Sequence, residues 1–415
     1  CGGYIQEILN ERAVAIRQVY SLTSTYFFLT LQRRRVRRLF LSSQLKSRNI
    51  FFSMEEFKEV ADSYTLPEAI REAQRCLHCK VPACKKGCPV SNDIPDWIAE
   101  LAKGNFGNAM SISNLPAICG RVCGHERQCE GNCVLGKKGA HINIGKLERF
   151  VADFDWDAGL THEAIPEPSR GAVAVIGSGP AGLTIAGDLA RHGFRVEIFE
   201  MEAEPGGVLR FGIPEYRLPK EVVVREIKKI ERLGVKFHLR TTIGLNFTVD
   251  DLFKQGFDAV FIGTGTGKPK QLEIPGINHP GVRQAIWFLR RVSLIQSGQM
   301  TSDAAMISRG DRVGVIGCGN TAMDAARTAL RMGASEVFVI YHRTIENMSA
   351  LRTEYDDAVA EGVKFLWNSS VIKINGAACG DKLESVVMRA DEQESVVPLD
   401  RLLLAVGSAP ASRIV

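Results

Sequence analysis

Apolar residues recur along this chain with two different periods, and the change between them divides it. From Met54 to about residue 160 the period is helical. Pro67 to Arg75 reads as a short amphipathic helix, and Asp93-Ile94-Pro95 caps a second with Trp97, Ile98 and Leu101 at helical spacing. Leu147, Val151 and Phe154 mark a third over Ile144 to Phe154. Pro166-Glu167-Pro168-Ser169-Arg170 then breaks the pattern as a linker. Beyond it short β-branched runs alternate with helical stretches, the texture of a parallel α/β sheet. Ala172 to Ile176 and Arg195 to Phe199 are strands around a helix at Leu183 to Arg191; Arg312 to Ile316 and Glu336 to Ile340 flank another at Met323 to Arg331. Two such repeats predict two nucleotide-binding units. The longest membrane hint, Tyr26 to Leu31, is far short of the roughly 18 to 20 apolar residues a spanning helix needs.

Charge changes this picture at one end. Residues 1–53 carry nine Lys and Arg against Glu7 and Glu11, a net of +7, so the formal +5 of the 415-residue chain hides a balance of −2 over the remainder. The basic stretch has no clear periodicity and precedes Met54-Glu55-Glu56, which reads as a natural start. A disordered or non-native extension is the favoured reading over 1–53, with a targeting or binding arm as the lesser one.

Eleven cysteines raise the question of disulfides, but eight of them crowd between Cys76 and Cys133. A large chain with nucleotide signatures belongs in the reducing cytoplasm, where clustered cysteines mean metal. The first group is Cys76-x2-Cys79-x4-Cys84-x3-Cys88-Pro89, and the second is Cys119-x3-Cys123-x5-Cys129-x3-Cys133. Thiolates this close suit an iron–sulfur core or zinc, and spacing alone leaves both open. Two redox nucleotide folds downstream favour iron and sulfur.

Gly177-Ser178-Gly179-Pro180-Ala181-Gly182 follows the first strand directly and opens a helix. The first glycine allows the tight turn, the second admits a pyrophosphate, and the third lets helix pack on strand, with the helix N-terminus facing the phosphates. The next strand ends in Glu200, placed to accept from ribose hydroxyls. The second loop, Gly317-Cys318-Gly319-Asn320-Thr321-Ala322, precedes a strand ending in Tyr341-His342-Arg343 with no acid. An arginine without a carboxylate there suits the 2′-phosphate of NADP(H), the bland alternative being a solvated arginine and NAD(H) preference. Between the units, Phe257 to Ile262 runs into Gly263-Thr264-Gly265, a crossing between domains echoed at Leu402 to Gly407.

Together the eight cysteines, the two loops, Gly206-Gly207 and Gly-Thr-Gly resemble the small-subunit family of NADPH-dependent glutamate synthase. The same module is similar to the N-terminal half of dihydropyrimidine dehydrogenase and to the large subunit of NADH-dependent ferredoxin:NADP oxidoreductase. The resemblance covers about 55–415. It implies an α plus α/β architecture: a helical domain with two [4Fe–4S] clusters over 54–165, an FAD domain over 166–285, a nicotinamide domain over 286–400, and a truncated return to the FAD domain over 401–415. By the same resemblance Cys76, Cys79, Cys84 and Cys133 hold one cluster. Cys88, Cys123, Cys129 and a non-cysteine ligand, Glu148, hold the other, and Cys119 is a bystander. FAD is expected along Gly177, Gly179, Pro180, Ala181, Gly182, Glu200, Gly207, Val208, Arg217 and Gly265. NADPH is expected along Gly317, Gly319, Asn320, Thr321, His342 and Arg343, with Arg352 near.

The implied reaction passes hydride from NADPH to FAD and single electrons through the clusters, with no side-chain acid or base. No Ser/His/Asp or His-Glu-x-x-His set competes for a hydrolytic reading. The implied acceptor is a glutamate synthase large-subunit-like partner, with a ferredoxin or second flavoprotein, as in the bifurcating relatives, as the alternative. Self-association is left open, and no nucleic acid or membrane is expected. The competitor from another class is a zinc-bearing, nucleic-acid-binding redox sensor that grips phosphate with its basic arm.

Overall fold

Thr65 opens the first helix, α1 (Leu66–Ala73), through a reciprocal cap in which its backbone N–H and hydroxyl both donate to Glu68. The structure, a computed structural model, describes residues 54–109, 115–160, 163–301, 306–376, 380–390 and 392–410. The basic extension 1–53, Cys379 and residues 411–415 therefore lie outside the described residues.

The N-terminal layer continues with α2 (Ala83–Gly87), α3 (Ile94–Ala102), the single turn Phe106–Ala109, α4 (Pro116–Val122) and α5 (Ile144–Ala158). The face expected on α3 is the one buried, with Trp97, Ile98 and Leu101 packed together with Leu147 and Val151 of α5. Each such side chain contributes about 1.5–3 kcal/mol of apolar burial. Helix α5 stops at Gly159, which turns into the left-handed conformation at φ +63.

The first parallel sheet contains β1 (Ala172–Ile176), β2 (Arg195–Phe199), β3 (Lys236–His238) and β4 (Ala259–Ile262) in the order β3-β2-β1-β4. Helix α6 (Pro180–Arg191) and helix α7 (Lys220–Arg232) cover one face. After the short β5 (Lys268–Pro269) the chain enters a second parallel sheet. It contains β6 (Val282–Gln284), β7 (Arg312–Ile316), β8 (Glu336–Ile340) and β9 (Lys364–Leu366), with helices α8 (Ala285–Gln296), α9 (Asn320–Arg331) and α10 (Arg352–Ala360). An antiparallel ribbon follows: β10 (Ser369–Gly376), β11 (Leu383–Ala390) and β12 (Gln393–Val397). Finally β13 (Arg401–Leu404) inserts between β6 and β7, and β14 (Ser408–Ala409) pairs antiparallel with β5.

Two expected boundaries shift. Val282 to Gln284 pairs with Leu402 to Leu404, so the second sheet starts before residue 286. Likewise β13 is the buried centre of that sheet, not part of the return, which begins at Ala405. An apolar strand reads the same whichever sheet receives it; only pairing decides.

Candidate functional site

Three thiols of the first cysteine group and the last thiol of the second line one cavity. Cys76, Cys79, Cys84 and Cys133 surround it, with Ile94, Ile98, Ile142 and Ile144 as apolar wall. Helix α2 carries Cys84, and Cys133 caps the 3-10 turn Val134–Lys137. Burial pushes the Cys84 thiol up to about 11, and the neighbouring Cys76 and Cys133 add to it. Cys76 is raised for the same reason, with the charges of Cys133 and Cys79 contributing. Four thiolates cannot coexist in such a place without positive charge among them. Among the described residues no three Cys, His, Asp or Glu groups converge as ligands of a single metal ion do. The four thiols line one cavity, a donor set suited to an iron–sulfur core.

The other cysteines form a second neighbourhood. Cys123 feels the charges of Glu148, Cys129 and Cys88, and a hydrogen bond from the Cys119 thiol, the largest influence, lowers its pKa. Burial raises Cys129, reinforced by Glu130 and Glu148. Glu148 is itself buried on α5, one turn beyond Gly145, whose N–H donates to Glu130 Oε1 at 2.9 Å. That bond ties the 124–133 loop to the start of α5, and the charge of Glu148 on α5 acts on Cys123 and Cys129.

The nucleotide loops meet in one cleft of about 1310 Å3. Gly177, Gly179, Pro180, Ala181, Glu200, Gly207, Val208 and Gly265 line it from the first unit, and Gly317, Gly319, Thr321 and His342 from the second. Gly177 (φ +95) and Gly317 (φ +117) have the same reason to be glycine. A Cβ would lie 2.7 Å from the Gly263 carbonyl oxygen in the first case and 2.4 Å from that of Ala405 in the second. The Gly-rich loops therefore turn against the two interdomain crossings. Gly182 lies behind the loop, where a Cβ would come 1.9 Å from the Gly177 oxygen, so its part is helix packing.

Glu200 is held rigidly. Its Oε2 accepts from the Ser178 N–H at 2.9 Å and hydroxyl at 2.5 Å, and its Oε1 from the Glu202 N–H at 2.8 Å. Ser178 Oγ in turn accepts from the Gly206 N–H at 3.0 Å, joining both glycine turns of this unit. Ser178 was not among the expected residues, because a loop position between two glycines carries no signal of its own. Arg290 was missed too; it lines the cleft from α8 and pairs with Glu202 at 2.8 Å across the two units.

Three expected residues lie elsewhere. The buried guanidinium of Arg217 pairs with Asp324 at 2.8 Å and Glu354 at 2.7 Å, tying the first unit to α9 and α10, and Arg217 is not among the residues lining the cleft. Asn320 uses its Oδ1 to accept from the Leu351 N–H at 2.8 Å. Arg343 is exposed beside the cleft residue His342.

The brace formed by Ser349 to Arg352 links the second loop to the cysteine layer. Ser349 and Ala350 donate their N–H groups to the Cys318 carbonyl at 3.1 and 3.0 Å. On the other side Arg127, from the loop between Cys123 and Cys129, donates to the carbonyls of Ser349 at 3.0 Å and Ala350 at 2.6 Å. The Arg352 N–H donates to Glu126 Oε1 at 2.8 Å.

Residues 53–160 match the family described as dihydropyrimidine dehydrogenase domain II, 4Fe-4S cluster, and residues 171–415 match pyridine nucleotide-disulphide oxidoreductase. The glutamate synthase [NADPH] small chain of Halomonas elongata is 36% identical over 381 residues, spanning 86% of this chain and 80% of that one. Its Escherichia coli counterpart is 35% identical over 378 residues with the same coverage. A solved Mycobacterium tuberculosis FprA in complex with NADPH aligns over 59% of this chain and 73% of that one, at 20% identity and a TM-score of 0.47.

Proposed function

The chain belongs to the glutamate synthase [NADPH] small-chain family, and from that membership we propose an electron path from NADPH through FAD and two [4Fe–4S] clusters to a partner protein. It is an NAD(P)H-dependent oxidoreductase. The observation that carries the path is the cavity shared by Cys76, Cys79, Cys84 and Cys133, because thiols from both groups surround one space. Those four hold one cluster in this reading, and Cys88, Cys123, Cys129 and Glu148 hold the second. When bound, the flavin couples two-electron hydride chemistry to the one-electron chemistry of iron–sulfur centres.

The protein's own share is position and electrostatics. The N–H groups of Gly179 and Ala181 at the start of the 12-residue α6 would receive the FAD pyrophosphate, and Glu200, fixed by Ser178, would accept from its ribose. Gly317, Gly319 and Thr321 would receive NADPH at the start of α9, with His342 and Arg343 placed for the 2′-phosphate. The cleft walls include Val208 and Gly265, which would border the nicotinamide and the flavin when both are bound. The domain limits follow the sheets: 54–165 for clusters, 166 to about 281 and the stretch from Ala405 for FAD, and 282–404 for nicotinamide.

The partner in this reading is a glutamate synthase large subunit, in the cytoplasm; among the described residues no helix is long and apolar enough to cross a membrane. Anaerobically purified protein should contain about eight irons and eight acid-labile sulfides per chain, absorb broadly near roughly 400 nm and bleach on adding NADPH. Protein holding zinc, and neither iron nor sulfide, would end this proposal.

A further inference from the structure

The cavity of Cys76, Cys79, Cys84 and Cys133 lies close to the surface, and that surface has a composition of its own. Leu77 lines the cavity and is 61% exposed, so the cavity wall reaches the protein surface there. Val81 and Val90, before and after the short helix α2, are 66% and 62% exposed. Exposed aliphatic groups gathered at one site mark contact surfaces more than scattered ones do. Four exposed lysines flank the same cysteines: Lys80 beside Cys79, Lys86 after Cys84, and Lys137 and Lys138 after Cys133. None of the four has an ion-pair partner among the described residues. The nearby acid Asp93 is taken up by Lys85, and Asp96 faces that same amine.

Leu115, Ala117 and Ile118, at the start of the helix that carries Cys119, share the core of the first nucleotide sheet with Val173, Leu183 and Val222. Cys76, Cys84, Cys88, Cys129 and Cys133 all pack on the separate helical core around Trp97 and Leu147. Of these, Cys76, Cys84 and Cys133 border the cavity lined by Leu77 and form the outer group.

We infer that the surface of Leu77, Val81, Val90, Lys80, Lys86, Lys137 and Lys138 is where an acidic one-electron acceptor protein docks to receive electrons from the outer group. The inference rests on the proposed cluster reading of those cysteines. An acidic face complements unpaired lysines, and such complementarity raises encounter rates by 10 to 10³ at low salt. Each NADPH gives up a hydride, that is two electrons, so it reduces two acceptor molecules by one electron each and releases NADP+ with one proton.

The test follows NADPH-driven reduction of two haem proteins by full-length, iron-loaded protein: the acidic soluble domain of cytochrome b5 and the basic cytochrome c. A parallel assay uses ferricyanide, a small oxidant with no need of a docking face. The variant Lys80→Glu/Lys86→Glu/Lys137→Glu/Lys138→Glu should lose about tenfold or more in kcat/KM for cytochrome b5 while keeping its ferricyanide rate. Raising salt from about 0.05 M to about 0.5 M should erase the wild-type advantage. If the variant loses iron, the corresponding quadruple alanine variant carries the same comparison. Unchanged cytochrome b5 kinetics in iron-replete variants overturns the docking surface alone. So does a salt-sensitive wild-type preference for cytochrome c, or a face found occupied by a second copy of the chain. Wild-type protein without iron or sulfide overturns the cluster reading and this surface together.

Discussion

Replacing Arg217 tests whether this arginine joins domains or handles cofactor. Its Nη1 lies 2.8 and 2.9 Å from the two oxygens of Asp324, and its Nη2 lies 2.7 Å from Glu354. Arg217 and Asp324 are each less than a tenth exposed. Arg217→Met keeps the bulk of the stem and removes the charge, leaving Asp324 in a buried site with its nearest cation gone. Removing one partner of a buried pair costs about 3–5 kcal/mol, most of it the stranded charge. Burial already raises the Asp324 pKa, with Arg217 opposing, and the substitution raises it further. A carboxyl whose folded pKa exceeds its unfolded one favours the folded state at low pH and loses that contribution as pH rises through the folded pKa. The deficit should therefore be larger at pH 8 than at pH 5. Adding Asp324→Asn should recover roughly half of the loss, because the charge itself is then gone. Urea unfolding followed by circular dichroism measures the stability, and flavin fluorescence measures FAD retention. A loss below about 1 kcal/mol together with much weaker FAD binding would return Arg217 to the cofactor and refute the structural role.

Further outcomes follow from the same geometry. Cys133→Ser should cut iron and sulfide to about half by removing one cluster, whereas Cys119→Ser should leave both unchanged; the iron assay that reverses these two results would dismantle the ligand sets. Arg343→Ala should weaken NADPH by about 10- to 100-fold and NADH little, as loss of a charge-assisted phosphate contact predicts, and isothermal titration would expose equal losses. Lys220 donates to the carbonyls of Leu209, Ile213 and Leu218 at 3.1, 2.5 and 3.1 Å, bracing the turn that carries Val208. Lys220→Met should cost about 1–3 kcal/mol and speed FAD release. Burial pushes the Lys220 pKa down to about 8, below that of an unfolded lysine, so the folded state releases its proton first. Wild type should then gain stability over Lys220→Met as pH rises above 8 towards about 10; a flat difference across that range would contradict this.

Much of the local structure was legible along the chain. Strand, glycine turn and helix occur in register at Ala172 to Arg191 and again at Arg312 to Arg331, since each depends on backbone sterics and near neighbours. The buried face of α3 followed from periodicity for the same reason. The ion pairs of Arg217 were not legible, because Asp324 and Glu354 lie more than 100 residues away and nothing in Arg217's neighbours encodes them. Ser178 escaped notice because its hydroxyl acts only once Glu200 and Gly206 have been folded over it.

The linear pattern by itself established a helical, thiol-rich layer followed by two nucleotide turns, because hydrophobic period and glycine placement act over a few residues. Tertiary structure alone decided that Cys133 faces Cys76 and Cys84, that β13 enters the second sheet, and that Arg127 grips the brace beside Cys318. Those contacts depend on which distant surfaces bury one another, and burial is a property of the assembled core that no local stretch carries.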